Sequence, residues 1–460
     1  MTNRIFYDQI LPLVTVIKIT LKSKQENGTL KIDITLFDRW KVTSLDYSDR
    51  GLHLAISANR VTKPYSLPAA IKIAQNVHKT SEYRNLIEFV KTNTHIHENP
   101  VNLVNYFIID IIEKYFENQA AFESKIIGCI DALIADLKNK PNKTRAIVEF
   151  YGIILHEDEI ELSSEIILRK PKKEDFNIDV IWTPFFSHPD FPEPSAILDI
   201  TLQAEDREDL INEIKKTITT LQLFRPMEIK WHIYQINSES YNPCFQGKDP
   251  SLVKCSILKN YILIENEVNK LKDFWKTVHP LVPEAFYSDH VKKIGYTAIA
   301  YKFYSDSLLH EGMIERKIAN AVIGLESIFL KTITENKKST QLIRRITKLF
   351  ENQNFDSDKI KEIIGESYFC RSKYLHGELL SEKDKQRIAL KNGGNTNNLL
   401  TTVLDYLRIS TVILLYFQFE NKEEFVEFID KSITDESVNQ QLCASLKQVN
   451  VVSMKNENNE

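Results

Sequence analysis

The chain has 460 residues, 43% of them hydrophobic and 27% charged, which fits a globular protein of two or three domains with large buried cores. A net charge of -4 and a pI near 6.3 exclude a protein that coats nucleic acid through a basic excess over a whole domain. Any nucleic-acid site must therefore be local.

The five cysteines, Cys129, Cys244, Cys255, Cys370 and Cys443, are odd in number, scattered and free of a C-x-x-C pair. They point to neither a disulfide framework nor a zinc site, and a reducing cytoplasm is the expected setting. The start MTNRIFYDQILPLV lacks the charged, apolar and small-residue regions of a secretory signal. The most apolar segment elsewhere, TVILLYF at 411–417, is far short of the about 20 residues that span a bilayer, so it is expected to be a buried helix and no membrane association is expected.

In chain order, residues 14–60 read as strands: VTVIKITL and TLKIDITL alternate with period two around an Asn27-Gly28 turn, the pattern of a hairpin. Between 64 and 139 the spacing becomes helical, most clearly from about 100 to 139. The loop THIHENP carries His95 and His97 without further ligands nearby, and is expected to be solvated. Strands return with RAIVEFYGIIL and EIELSSEIILRK, separated by the acidic turn His156–Glu159, which lacks the glycine and ligand spacing of a cation loop. A proline-rich segment follows, then the strand SAILDITLQA, the amphipathic helix EDLINEIKKTITTLQLF and the strand EIKWHIYQI. No Walker or Rossmann glycine pattern occurs, so nucleotide hydrolysis and a cofactor are not expected.

Beyond about 258 the chain reads as helices with mostly short connections, the pattern of an antiparallel bundle. KNGGNTNN at 391–398 reads as the loop before the last long helix, and the polar end KNENNE as disordered. The expected fold class is α+β, an N-terminal mixed sheet and helix region (1–250) followed by an all-α bundle (255–432) and a C-terminal extension (433–460).

Within the bundle, Arg371-Ser372-Lys373-Tyr374-Leu375-His376-Gly377 comes closest to a chemical signature. Arginine offers a charged planar fork that fits phosphate oxygens, and histidine can both take and give protons near neutrality. Five helical residues rotate by about 140°, so the two would not share a face of an ideal helix. Gly377 allows the helix to end around His376, because glycine is favoured just past a helix C-terminus. Between residues 331 and 350, Lys331, Lys337, Lys338, Arg344, Arg345 and Lys348 oppose Glu335 alone, a run that suits a phosphate backbone or a solvated helix face.

The segments IANAVIGLESIFL, KSTQLIRRITKLF and YFCRSKYLHGEL, in that order, resemble the Apea-like branch of the HEPN superfamily over roughly residues 285–432. The N-terminal region resembles, more loosely, the sensing or regulatory module that precedes the effector in such proteins. The resemblance implies a metal-independent RNA endonuclease, a ribonuclease effector of anti-phage defence or toxin-like stress responses. In it the RNA 2′-hydroxyl attacks phosphorus and leaves a 2′,3′-cyclic phosphate. Arg371 and His376 would be the catalytic pair, in a composite site across a homodimer, with the N-terminal region sensing an unknown trigger. Ser372 follows the arginine, as in that branch. Lys373 is a candidate phosphate contact, Tyr374 a candidate stacking residue, and Glu326 in the GLES segment a candidate for ordering the site. Lys337, Lys338, Arg344, Arg345 and Lys348 are candidate RNA contacts. Two alternatives stand beside this reading: a non-catalytic HEPN module binding RNA or nucleotide or serving dimerisation, and a structural protein in which His376 caps a helix.

Overall fold

A computed structural model describes residues 3–449 apart from 28–34, 49–50, 64–66, 94–99, 139–141, 182–193, 205–206, 239–246, 249–260, 289–290, 292–293, 310–311, 332–334 and positions 118, 177, 354, 418 and 420. The fold is α+β. It divides into two compact units, Met1–Ile211 with Lys230–Ile257, and Asn212–Ile229 with Leu258–Glu460.

The first unit opens with helix α1 (Asn3–Glu26), followed by the hairpin strands β1 (Thr35–Ser48) and β2 (Gly51–Lys63) and then helices α2 (Leu67–Val77), α3 (Ser81–Asn93), α4 (Pro100–Glu117) and α5 (Phe122–Leu137). The expected strand at 14–21 is therefore corrected to helix. Apolar and polar residues mostly alternate over these eight positions, but Phe6, Ile10, Leu13, Val14, Ile17 and Leu21 are buried at helical spacing over four turns, in one core with α2–α5. Asn27 ends α1, with its N–H on Ser23 O, and the hairpin lies further on. Gly28, His95, His97, most of the proline-rich segment, Cys244, Cys255 and the end of the chain lie outside the described residues.

The remaining strands are β3 (Asn142–Tyr151), β4 (Ile153–Leu155), β5 (Glu159–Glu161), β6 (Ile166–Arg169), β7 (Ile178–Ile181), β8 (Ala196–Ala204), β9 (Lys230–Ser238) and β10 (Gly247–Lys248). A six-stranded antiparallel sheet runs β10-β9-β3-β8-β6-β5, and β7 joins the hairpin as β2-β1-β7. On β3, Glu149 is buried and accepts from Tyr151 Oη at 2.8 Å. In the acidic turn, Asp158 pairs with Lys170 at 2.9 Å and Glu159 with Lys172 at 3.9 Å.

Helix α6 (Arg207–Phe224) belongs to the second unit from Asn212 onward, so a boundary near residue 250 does not describe the packing. Its last-turn carbonyls explain why. Arg408, fully buried, donates to Leu223 O at 2.6 Å and Phe224 O at 2.9 Å and is balanced by Asp405 at 3.0 Å. Carbonyls that a helix end leaves open are thus satisfied by a cation, where the dipole favours one. Arg225 pairs with Glu267 at 2.9 Å, and Tyr304 donates to Gln222 O at 2.7 Å.

After a short strand β11 (Tyr261–Leu263), where a helix was expected, the unit continues with α7 (Glu265–Val278), α8 (Tyr296–Leu309), α9 (Ile314–Phe329), α10 (Lys338–Glu351), α11 (Ser357–Leu375), α12 (Glu382–Lys391), α13 (Thr396–Phe417), α14 (Lys422–Thr434) and α15 (Glu436–Leu446). Helix α9 is central, touching α8, α10, α11, α13 and α14. It is apolar on most of its circumference, and Gly324 admits Leu407 of α13, whose Cδ2 would stand 2.6 Å from an added Cβ. Helix α13 is long and apolar enough to cross a membrane by composition, yet 78% of its apolar window is buried inside the unit, as a core helix requires. The extension after 433 is not all tail: Leu442 and Leu446 of α15 are buried, and Leu446 O accepts from Gln353 at 3.2 Å.

Candidate functional site

Helix α11 carries the signature. Asp356 caps its start, accepting from the N–H groups of Asp358 and Lys359, and its C-cap is His376. Gly377 has φ +80°, its N–H reaches Tyr374 O at 3.1 Å, and the N–H of Glu378 reaches Lys373 O at 2.9 Å. These two bonds form the Schellman ending that glycine permits. His376 is exposed there, between Leu375 at 50% and Leu379 at 54% exposure.

Arg371 sits on another side of α11. Its Nη2 donates to Glu326 Oε2 of α9 at 2.9 Å, and its guanidinium lies 5.5 Å from the centre of the Tyr368 ring. Arg371 Nε and Glu326 Oε1 are buried without hydrogen-bond partners, so the pair holds one buried donor and one buried acceptor beyond the bond it makes. Burial, with Glu326 adding to it, raises the Tyr368 phenol above its ordinary range. Among the described residues no hydrogen bond joins Arg371 to His376. The sequence distance of five residues keeps them apart, as helix rotation requires.

Ser372 and Tyr374 are half-buried. Lys373 is held by two carboxylates, Asp384 Oδ2 at 3.1 Å and Glu378 Oε2 at 3.7 Å, and the Asp384 hydrogen bond raises its pKa. Asp384 also closes a capping box with Ser381 at the start of α12, and these hydrogen bonds, first from Ser381 and then from Lys373, bring its carboxyl down to about 2. Lys373 thus braces the turn that carries His376. Cys370 is buried, and burial pushes its thiol up to about 12, which keeps it unreactive.

The basic run reads differently in three dimensions. Arg345 is 2% exposed and bonds Asp430 at 2.8 Å, Glu335 at 2.8 Å and Phe329 O at 2.7 Å, so it is a core residue rather than a surface contact for RNA. Arg344 pairs with Asp430 at 2.8 Å and Lys348 with Glu351 at 2.9 Å, while Lys331 lies 3.7 Å from Asp430. Lys337 and Lys338, at the start of α10, hold no ion pair among the described residues. Lys337 is the one non-glycine residue there with positive φ, at 53°.

A cleft of about 550 Å³ opens between α11 and α12, lined by residues that include Glu366, Phe369, Arg387 and Lys391. None of these was legible as a site in the sequence. The signal that was present is Ser381 three residues before Asp384, which announces α12. Among the described residues no three metal-ligating side chains gather. Comparison of the chain with family models, curated proteins and solved structures finds no match.

Proposed function

We propose that the chain is a metal-independent RNA endonuclease of the HEPN type, with Arg371 and His376 as its catalytic pair. The observation that carries this reading is the ending of α11: a Gly377 Schellman turn leaves the His376 imidazole exposed, five residues after an arginine anchored by Glu326. His376 moves protons between the 2′-hydroxyl, the 5′-leaving oxygen and solvent, a contribution of about 10²–10⁴-fold for a positioned acid–base group. Arg371 supplies charge-assisted hydrogen bonds to the phosphate oxygens as charge builds. The bond formed is 2′-O to phosphorus, the bond broken is phosphorus to 5′-O, and the product ends are a 2′,3′-cyclic phosphate and a 5′-hydroxyl. DNA lacks the attacking hydroxyl and is left intact. Because the two side chains leave α11 in different directions, the working site combines them across a homodimer. Defence or toxin-like activity, triggered through the N-terminal unit, is the setting that the family resemblance supplies.

A second reading, a binding or dimerisation module without catalysis, draws on exposed Leu375 and Leu379, which flank the histidine with apolar surface. The test incubates the purified chain with total RNA in EDTA and maps new ends, beside Arg371→Ala and His376→Ala. Cyclic phosphate ends that vanish in both variants support the nuclease. Cleavage that persists in either variant overturns the assignment of Arg371 and His376, and intact RNA with every preparation leaves the binding module.

A further inference from the structure

Two glycines inside helices of the second unit differ in what surrounds them. Gly324 is explained by Leu407, which packs where a side chain would stand. At Gly365 of α11 an added Cβ would meet no atom within 4 Å, although glycine weakens a helix interior. That open space belongs to the cleft between α11 and α12.

Beside it, Glu366 is 7% exposed. Its Oε1 accepts from Arg387 Nη1 and from Lys391 Nζ, the latter at 2.9 Å, while Oε2 is buried without a partner. An unpaired buried carboxylate oxygen is unfavourable, and it asks for a donor that the chain does not supply. The Arg387 guanidinium lies 5.0 Å and the Lys373 ammonium 5.6 Å from the centre of the Phe369 ring, so an aromatic ring and a fork of donors are held together. Arg387 and Lys391 keep 42% and 43% of their side chains exposed. Three cations and three carboxylates line the cleft, a balance unlike the positive excess of a phosphate track. Donors and acceptors side by side along an aromatic wall fit the edge of a nucleobase instead.

We propose that this cleft receives one unpaired guanine of single-stranded RNA. Guanine presents O6 and N7 as acceptors to Arg387 or Lys391, the pairing that arginine and lysine make most often. Its N1–H and 2-amino group are donors for Glu366 Oε2 once the carboxylate turns that oxygen from its buried position toward the cleft, and its ring lies beside Phe369. Adenine has an acceptor where guanine has N1–H, so it meets the carboxylate with repulsion. Phe369 and His376 are seven residues apart on α11, about 20° in rotation and about 10.5 Å along the axis, so the pocket lies along the same stripe as the proposed catalytic histidine. The ligand rests on the RNA reading above, but the pocket does not depend on cleavage.

The test uses the full chain with His376→Ala, so that bound RNA stays intact. Fluorescence anisotropy is read with labelled oligouridine pentamers carrying one central guanosine, inosine or adenosine. The guanosine oligomer binds about tenfold tighter than the adenosine one, with inosine, which lacks the 2-amino group, between them. Glu366→Gln and Phe369→Leu each erase the preference, and Gly365→Leu, which fills the floor, weakens guanosine binding, with thermal melts confirming that each variant folds. Equal binding of guanosine and adenosine, a preference that survives Glu366→Gln in a folded protein, or no binding of any oligomer overturns the pocket. Wild-type cleavage without guanine preference sinks the pocket and spares the nuclease. Guanine-selective binding without cleavage does the reverse.

Discussion

Arg371 Nη2 donates to Glu326 Oε2 at 2.9 Å, which ties α11 to the central helix α9 and fixes the arginine on the opposite flank from the exposed histidine. Glu326→Ala leaves the guanidinium half-buried without its carboxylate. The expected outcome is a stability loss of about 1–3 kcal/mol in urea titration. RNA cleavage falls by up to about 100-fold, because the arginine loses its anchor. Cleavage at the wild-type rate would remove Glu326 from the site.

Gly377 is required by its backbone. At φ +80° an alanine is strained by about 1–2 kcal/mol, and relief of that strain unwinds the Schellman turn beside His376. Gly377→Ala is expected to lower the urea midpoint and cleavage together, whereas Gly377→Asn, which tolerates the left-handed region better, keeps more of both. The paired measurement of midpoint and initial cleavage rate in the two variants checks this.

Arg345 and the pair Lys337 and Lys338 separate structure from recognition on α10. Arg345→Ala leaves Asp430 and Glu335 without their buried partner and is expected to destabilise by about 3–5 kcal/mol. The double variant Lys337→Glu, Lys338→Glu leaves the melting temperature unchanged and reduces both RNA affinity and its salt dependence. Wild-type affinity in the double variant would show that RNA does not follow α10.

Glu149 makes stability depend on pH in a defined direction. Burial raises its carboxyl to about 7 from 4.5, against the Tyr151 hydrogen bond and with Asp175 adding to the rise. Between those two values the unfolded chain has lost the proton that the folded chain keeps. Stability from this group is therefore full below 4.5, falls as pH rises to about 7 and is flat above, a change on the order of 3 kcal/mol. Glu149→Gln is expected to flatten that slope and to exceed wild type in urea resistance at about pH 8 but not at about pH 5. Parallel slopes in the two proteins would refute it.

What the sequence made legible was local. The ending of α11 at His376 follows from Gly377, and the strands β3, β8 and β9 follow from short apolar runs that read as strands, because both signals act over a few residues. Helix α1 was hidden because residues 14–21 satisfy period two while the burial pattern needs the longer window from Phe6 to Leu21. Helix α12 was hidden because only Ile388 of it is buried, which leaves almost no apolar rhythm. The basic run misled because Asp430, which neutralises Arg344 and Arg345, stands more than 80 positions away. The cleft is a product of α12 lying on α11, so Glu366 and Arg387 had no pattern to share in the sequence.

The second unit is assembled from two separate stretches, and Arg408 joins them by capping the carbonyls of Leu223 and Phe224. Synthesis proceeds in one direction, so α6 leaves the ribosome well before its cap, with Leu221, Leu223 and Phe224 awaiting the core that will bury them. Residues 371–377 also emerge before Arg408. A chain that stalls before position 408 holds the signature without the helix that completes its scaffold, and it offers exposed apolar surface to chaperones and proteases instead. Translation past position 408 is thereby a condition for the bundle that orders these residues.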